Sequence, residues 1–334
     1  MTDVVRFGVL GAARIAPKAL VQPAGKLEGV TVTRVAARDP GRARAFALEH
    51  GIVGVADDYA ALIEADDVDV VYNPLPMSLH AEWTIAALRA GKHVFCEKPF
   101  AANADEAAEM VRVADETGLV LGEAFHYRYH PMFERILAEV RVGRIGDLVR
   151  IEGRFDVPIA QPDLRWDYAT AGGSLMDLGC YPMSWVRHLA GAEPEVVSAE
   201  AEIGPPLIDA AMNAELRFPS GATASVRSAM NGGRVIELVI EGTAGRIEAT
   251  NPMAPQIGNR LTIITDGGRT SGPIDAGISY DHMLRAFVDH VVHGAEFPTQ
   301  GADSIANMAA IDAVYLAAGL PRRGEAEPMG APPT

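Results

Sequence analysis

Cysteine is the first scarcity: two in 334 residues. Cys96 and Cys180 are too few for a disulfide framework and lack the spacing of a zinc or haem motif, so both are read as reduced thiols. Long apolar runs are missing too, since no stretch approaches the roughly 20 consecutive apolar residues of a membrane-spanning helix. With 49% apolar residues, the chain is expected to be soluble with a full core and no membrane partner. Positive charge is scarce: 29 Lys and Arg stand against 44 Asp and Glu, a formal net charge of -15. Such a surface repels nucleic acid at long range, and no basic run offsets it, so no nucleic-acid partner is expected; a local basic pocket for phosphate stays open. The first residues, Met1-Thr2-Asp3-Val4-Val5-Arg6, enter a strand pattern with no features of a secretory leader, so the cytoplasm is the expected compartment. No internal repeat is found.

The length suits two domains. Apolar runs near 5–10, 30–36, 69–72, 93–96 and 119–124 alternate with helical periodicity near 15–27, 41–50, 78–90 and 104–117. That alternation predicts an α/β fold, a doubly wound parallel sheet that binds a dinucleotide, over residues 1–125. Beyond about residue 148 the segments turn β-rich (148–156, 195–203, 211–218, 222–230, 235–241, 245–249 and 260–265), with Gly and Pro between them and one helix near 173–190. A second, α+β domain is expected over 126–320, with a large, mostly antiparallel, open-faced sheet. Helical patterns near 279–293 and 303–319 follow, and 321–334, rich in Pro, Gly, Glu and Ala, is expected to be a flexible tail.

Three stretches carry chemistry. In Arg6-Phe7-Gly8-Val9-Leu10-Gly11-Ala12-Ala13-Arg14-Ile15-Ala16 a strand runs into a small-residue turn and then a helical pattern. The usual dinucleotide turn is Gly-x-Gly-x-x-Gly; here only Gly11 remains, with Ala13 and Ala16 in the other two places. Cys96-Glu97-Lys98-Pro99 places a lysine at the C-terminal end of a strand, where parallel sheets bind their ligands. In Gly172-Gly173-Ser174-Leu175-Met176-Asp177-Leu178-Gly179-Cys180-Tyr181, Asp177 and Tyr181 stand four apart, so a helix would present a carboxylate and a phenol on one face.

Together with Asn73-Pro74-Leu75-Pro76 and His80, these stretches resemble the Gfo/Idh/MocA-type family of NAD(P)-dependent oxidoreductases, which includes glucose–fructose oxidoreductase and inositol dehydrogenase. The resemblance covers nearly the whole chain. Tyr181 replaces a histidine of the inositol dehydrogenases, which places the chain near the branch of glucose–fructose oxidoreductase, dimeric dihydrodiol dehydrogenase and NADP-dependent xylose dehydrogenase. The resemblance implies hydride transfer between nicotinamide C4 and a carbinol carbon, with Tyr181 exchanging the hydroxyl proton and Lys98 beside it. A neighbouring ammonium favours the phenolate, so Lys98 is expected to lower the Tyr181 pKa. Asp177 is expected to orient the substrate or Lys98.

Cofactor residues implied are Gly11, Ala13, Arg14 and Ile15 in the turn, Asn73, Pro74, Leu75 and His80 beside the nicotinamide, Glu97, Lys98 and Arg165. At the end of the second strand, Val35-Ala36-Ala37-Arg38-Asp39-Pro40, the acidic residue expected of an NAD enzyme is replaced by alanine. Arg38 and Arg42 could instead hold a 2′-phosphate, which favours NADP, with Asp39 keeping NAD open. Arg128, Trp166, Asp177 and Tyr181 are the substrate candidates, and Asp163, Arg165, Trp166 and Tyr168 suit a polyhydroxylated ring. His126 and His130 are four apart but have no third ligand at suitable spacing, so no metal is expected and both are read as polar cleft or surface residues. A homo-oligomer, dimer or tetramer, is expected if the second sheet leaves an apolar face uncovered. The rival readings are a ketoreductase of a nucleotide-linked sugar or a non-sugar carbonyl, and a silent NAD(P)-binding sensor.

Overall fold

A computed structural model describes residues 4–325. Six strands form the first sheet: β1 (Val5–Leu10), β2 (Val30–Ala36), β3 (Gly54–Val55), β4 (Val70–Asn73), β5 (His93–Cys96) and β6 (Leu121–Glu123). All are parallel, in the order β3-β2-β1-β4-β5-β6. The order reverses between β1 and β4, which opens a ligand crevice at their C-terminal ends. β4 is buried along its whole length, as a strand covered on both faces by helices must be.

Local chemistry explains the covering helices. Pro40–His50 starts at Asp39, whose side chain accepts from the Gly41 N–H, and stops at Gly51 with φ 69°. Ala104–Thr117 starts at Asn103, whose side chain accepts from the Glu106 N–H, and stops at Gly118 with φ 67°. The helical pattern at 15–27 forms only a short element, a π-turn at Pro17–Val21 running into Gln22–Ala24. Two helices went unforeseen: Tyr59–Ile63, too short for a periodic signal, and Pro131–Arg141.

The second sheet has eight strands: β7 (Leu148–Asp156), β8 (Glu195–Ile203), β9 (Asp209–Arg217), β10 (Thr223–Ala229), β11 (Val235–Gly242), β12 (Gly245–Thr250), β13 (Arg260–Thr265) and β14 (Gly268–Gly272). They run in the order β14-β13-β12-β11-β7-β10-β9-β8, antiparallel except where β7 and β10 pair in parallel. One face packs against the helix Cys180–Ala190, and Gly153 on β7 makes the approach close: a Cβ there would lie 2.8 Å from Pro182 Cβ. The other face bears Arg150 and Glu152 on β7 and Glu241 and Arg246 on the neighbouring strands, joined in ion pairs such as Arg150–Glu152 at 2.9 Å and Arg246–Glu241 at 3.0 Å. That face is charged, so the apolar surface on which the oligomer expectation was conditioned is not there.

The last helices return to the first domain. From Ser279–His293, Phe287 stacks on Phe95 of β5 at 4.3 Å, with Met283 and Leu284 in the same buried cluster as β1. Ala302–Ala317 lies along Ala104–Thr117, where Asp312 accepts from the Ala104 N–H at 2.9 Å. Among the described residues no helix is long and apolar enough to cross a membrane.

The tail also departs from expectation. Arg323 is fully buried and pairs at 2.7 Å with Asp209, itself fully buried. Its guanidinium lies over the rings of Tyr315 and Tyr168 and donates to the Gly172 carbonyl. Asp209 in turn accepts from the Ser174 hydroxyl and the Leu175 N–H, at the start of the segment carrying Asp177 and Tyr181. Composition missed this because a single buried arginine does not alter the Pro/Gly bias around it; residues 326–334 of the expected tail lie outside the described residues. Removing one partner of such a pair strands a buried charge, so Arg323→Ala is expected to cost about 3–5 kcal/mol. Denaturant unfolding measures it; a loss below about 1 kcal/mol would contradict the account.

Candidate active site

A cleft of about 850 Å3 runs along the C-terminal ends of β1, β2, β4 and β5 and is closed on its far side by the second domain. At one end lies the phosphate turn. Gly11 follows β1 with φ 82°, a left-handed conformation that a side chain would strain, and a Cβ there would come within 3.1 Å of Leu75. Ala13, Arg14 and Ile15 continue the lining. Next to them Arg38 and Arg42 border the cleft, and neither pairs with a carboxylate among the described residues. Asp39 is occupied at the helix start, its Oδ1 accepting from Gly41 N at 2.7 Å.

The middle of the cleft is bordered by Pro74, Leu75 and Pro76 after β4, and by Glu97 and Lys98 after β5. Asn73 and His80 do not line it; they brace it from behind. The Asn73 amide donates to the His80 carbonyl and the Thr84 hydroxyl, and its oxygen accepts from the Leu75 N–H. His80 faces the Leu75 carbonyl through Nε2 at 2.9 Å and the Pro99 carbonyl through Nδ1 at 3.0 Å, and burial pushes its pKa down to about 4. The neutral imidazole has a single N–H, so it donates to one of these carbonyls and packs against the other, between the loop after β4 and the residues following Lys98. Glu97 accepts from the Tyr72 hydroxyl at 2.7 Å, and burial pushes its carboxyl up.

At the far end the two domains meet. Leu175–Gly179 forms a π-turn that continues as the α-helix Cys180–Ala190, a local widening that proteins often place at functional sites. Lys98 Nζ lies 3.0 Å from both Oδ1 and the backbone oxygen of Asp177. Arg165 Nε reaches within 2.8 Å of Asp177 Oδ2, off the line of a hydrogen bond, and Arg165 Nη1 donates to Asp163 Oδ1 at 3.0 Å. Arg14, from the phosphate turn, pairs with the other Asp163 oxygen at 2.7 Å. Five charges of alternating sign therefore cross the cleft. Burial works to raise the Asp177 carboxyl, but Lys98 and Arg165 together hold it below the usual range. Burial works to lower the Lys98 ammonium, but Asp177, Cys180 and Glu97 together outweigh it, so the pKa lies above normal.

Tyr181 differs from expectation. Lys98 Nζ sits over its ring, 5.1 Å from the centroid, rather than beside its oxygen, and Asp177 balances the ammonium charge. Burial, with Tyr280 and Cys180 nearby, pushes the phenol well above its ordinary pKa instead of below it. The Tyr181 hydroxyl meets His126 Nε2 at 3.3 Å.

Arg128 and Trp166, the other substrate candidates from the sequence, do not line the cleft. Arg128 is buried outside the cleft lining, its guanidinium paired with Glu134. The Trp166 indole donates to the Ile159 carbonyl at 2.9 Å and packs beside Gly204. His126 and His130 are both buried rather than on the surface, and His130 accepts from the Met132 N–H to start the helix Pro131–Arg141. Phe155, Met253 and Tyr280 also line the cleft and were not singled out from the sequence. The position of Phe155 at the end of β7 was a signal available there; Met253 and Tyr280 arrive only through tertiary folding. Both cysteines are buried free thiols.

The oxidoreductase family with an NAD-binding Rossmann fold (Gfo/Idh/MocA) matches residues 5–125, and that family's C-terminal domain matches 133–248. The chain belongs to this family and is an oxidoreductase. It is 37% identical over 317 residues to a D-xylose 1-dehydrogenase (NADP(+)) of Haloferax volcanii, covering 93% of this chain and 97% of that protein. It is 33% identical to a dTDP-3,4-didehydro-2,6-dideoxy-alpha-D-glucose 3-reductase of Actinomadura kijaniata, covering 94% and 96% of the two chains. A crystal structure of a 3-ketoreductase from the same organism with NADP and TDP-benzene superposes with a TM-score of 0.87 at 30% identity, covering 94% of this chain and 98% of that one.

The Lys98–Asp177 contact has a measurable consequence. Asp177→Asn removes the partner that raises Lys98 and leaves burial, which lowers it, so the lysine pKa is expected to fall. Acylation of Lys98 followed by mass spectrometry across pH should show its midpoint moving to lower pH; an unmoved midpoint would contradict the pairing.

Proposed function

We propose that this oxidoreductase uses NADP to move a hydride between nicotinamide C4 and a carbinol or carbonyl carbon of a sugar or similar cyclic polyol, with Lys98 and Tyr181 handling the proton. The observation that carries this reading is that Lys98, Asp177 and Tyr181 line the same cleft as the phosphate turn at Gly11. The residues fit a dinucleotide. Gly11 takes the left-handed turn that a side chain would strain, and two guanidinium groups free of carboxylates among the described residues stand at the end of β2, where a 2′-phosphate would lie. NADP would supply the hydride donor or acceptor. Lys98, kept charged by Asp177, donates a hydrogen bond to the substrate oxygen and stabilises negative charge developing there. Tyr181, kept neutral by burial, gives its proton to that oxygen when a carbonyl is reduced. Asp177 positions Lys98, and Arg165 holds Asp177 from its other side.

A nucleotide-linked ketosugar is the second reading, favoured by the match to the ketoreductase along nearly the full length of both chains. Association into a homo-oligomer through the outer face of the second sheet extends the proposal: its Arg and Glu side chains pair within the chain and are of the kind that exchange partners across a salt-sensitive interface, so light scattering should show association at low salt that weakens at high salt, and a monomer at both would overturn it.

Nicotinamide absorbance with NADP or NAD across aldoses, inositols, dihydrodiols and ketosugars tests the class. Lys98→Ala and Tyr181→Phe are each expected to lower kcat by more than about tenfold, with cofactor affinity unchanged. Loss of one charge-assisted contact in Arg38→Ala should weaken NADP about 10- to 100-fold and leave NAD nearly unaffected. Equal weakening of both cofactors would remove Arg38 from the 2′-phosphate.

A further inference from the structure

We propose that His126 and Ser279 connect the buried Tyr181 hydroxyl to solvent at Gln256, forming a proton relay behind the acid/base residue. The inference rests on the reading of Tyr181 as the group that exchanges the substrate proton. Tyr181 is 4% exposed and Ser279 not at all, whereas Gln256 is exposed, so any proton leaving the phenol on its protein side must cross a buried stretch. A chain of hydrogen bonds spans it. Tyr181 OH meets His126 Nε2 at 3.3 Å, His126 Nδ1 meets Ser279 Oγ at 2.8 Å, and Ser279 Oγ meets Gln256 Oε1 at 3.1 Å.

The chain has a defined direction. The Ser279 N–H also donates to Gln256 Oε1, at 3.4 Å, which fixes that end of the amide as oxygen. The Ser279 hydroxyl must then donate to Gln256 and accept from His126, so His126 carries its proton on Nδ1 and accepts from Tyr181 on Nε2. Burial, the Lys98 ammonium and His130 push the imidazole down to about 3, so it rests neutral with the single N–H the chain requires. The Tyr280 ring lies tilted against the imidazole with centroids 4.0 Å apart.

For alcohol oxidation the transfers balance. The Tyr181 proton moves to His126 Nε2, the Nδ1 proton moves to Ser279 Oγ, the serine proton passes to Gln256 Oε1, and the exposed amide releases a proton from its nitrogen to water, returning from the imidic acid to the amide through solvent. Tyr181 is then a phenolate that takes the substrate hydroxyl proton as the C–H hydride departs to the oxidised nicotinamide. Carbonyl reduction runs the same transfers backwards and restores the starting tautomer. Repeated passes in one direction require the ring to turn between them. No sequence motif signals this chain, because its members lie at 126, 181, 256 and 279.

His126→Phe and Ser279→Ala test it in the full-length enzyme. His126→Phe is expected to lower kcat about 100-fold with KM and NADP affinity unchanged. Ser279→Ala should lower it less, and this second variant keeps the test usable if the first does not fold. Wild type should show a solvent deuterium effect from more than one proton, reduced to one in both variants. If wild type turns over and both variants stay within about threefold of it with an unchanged isotope effect, the relay is wrong while Tyr181 keeps its role. A readout independent of turnover uses 15N-histidine NMR. His126 should carry its proton on Nδ1, and its Nε2 resonance should move in Tyr181→Phe. A proton on Nε2, or a resonance that does not move, overturns the relay even if no substrate is found.

Discussion

The contact between Lys98 and Asp177 joins residues 79 positions apart and from different domains, and the geometry of the cleft hangs on it. Asp177 is buried and Lys98 largely so, and each would be costly to ionise alone. Paired, both stay charged, and the pair extends through Arg165 and Asp163 to Arg14 in the phosphate turn. The alternation of sign gives each carboxylate two cations. It also leaves Lys98 little net field to act on Tyr181, which is why burial governs the phenol.

Tasks separate along the cleft. One end offers backbone and guanidinium groups to phosphates, the middle is braced by Asn73 and His80, and the far end holds a charged lysine beside a neutral phenol. The bracing side chains touch no ligand space themselves. They hold the loops after β4 and β5 together, and the buried Asp209–Arg323 pair does the same for the segment 172–175.

Periodicity carried most of the architecture. β2, β5, β7, β8 and β13 were read with the ends they have: β2, β5 and β13 are rich in β-branched or aromatic residues, and β7 and β8 are longer segments delimited by the Gly and Pro around them. Short elements such as β3 and Tyr59–Ile63 escaped, having too few residues to show a period. Motif order brought Gly11, Lys98, Asp177 and Tyr181 together correctly in one cleft, since strand ends converge in a parallel sheet. Arg128 and Trp166 lie outside the cleft lining, because nearness in sequence to cleft residues does not fix where a side chain finds its partner: Glu134 and the Ile159 carbonyl decide that. The sign of the Tyr181 shift was also illegible, since it depends on where the Lys98 charge is balanced.

Transfer of deuterium from C4 of stereospecifically labelled NADPH to the carbon of a reduced ketopyranose, read by mass spectrometry, tests the central claim most directly. Wild type should place one deuterium in the product, and Tyr181→Phe should lose most of that rate while binding NADPH as tightly. Equal transfer by Tyr181→Phe and wild type would show that the proton is handled elsewhere and contradict the account.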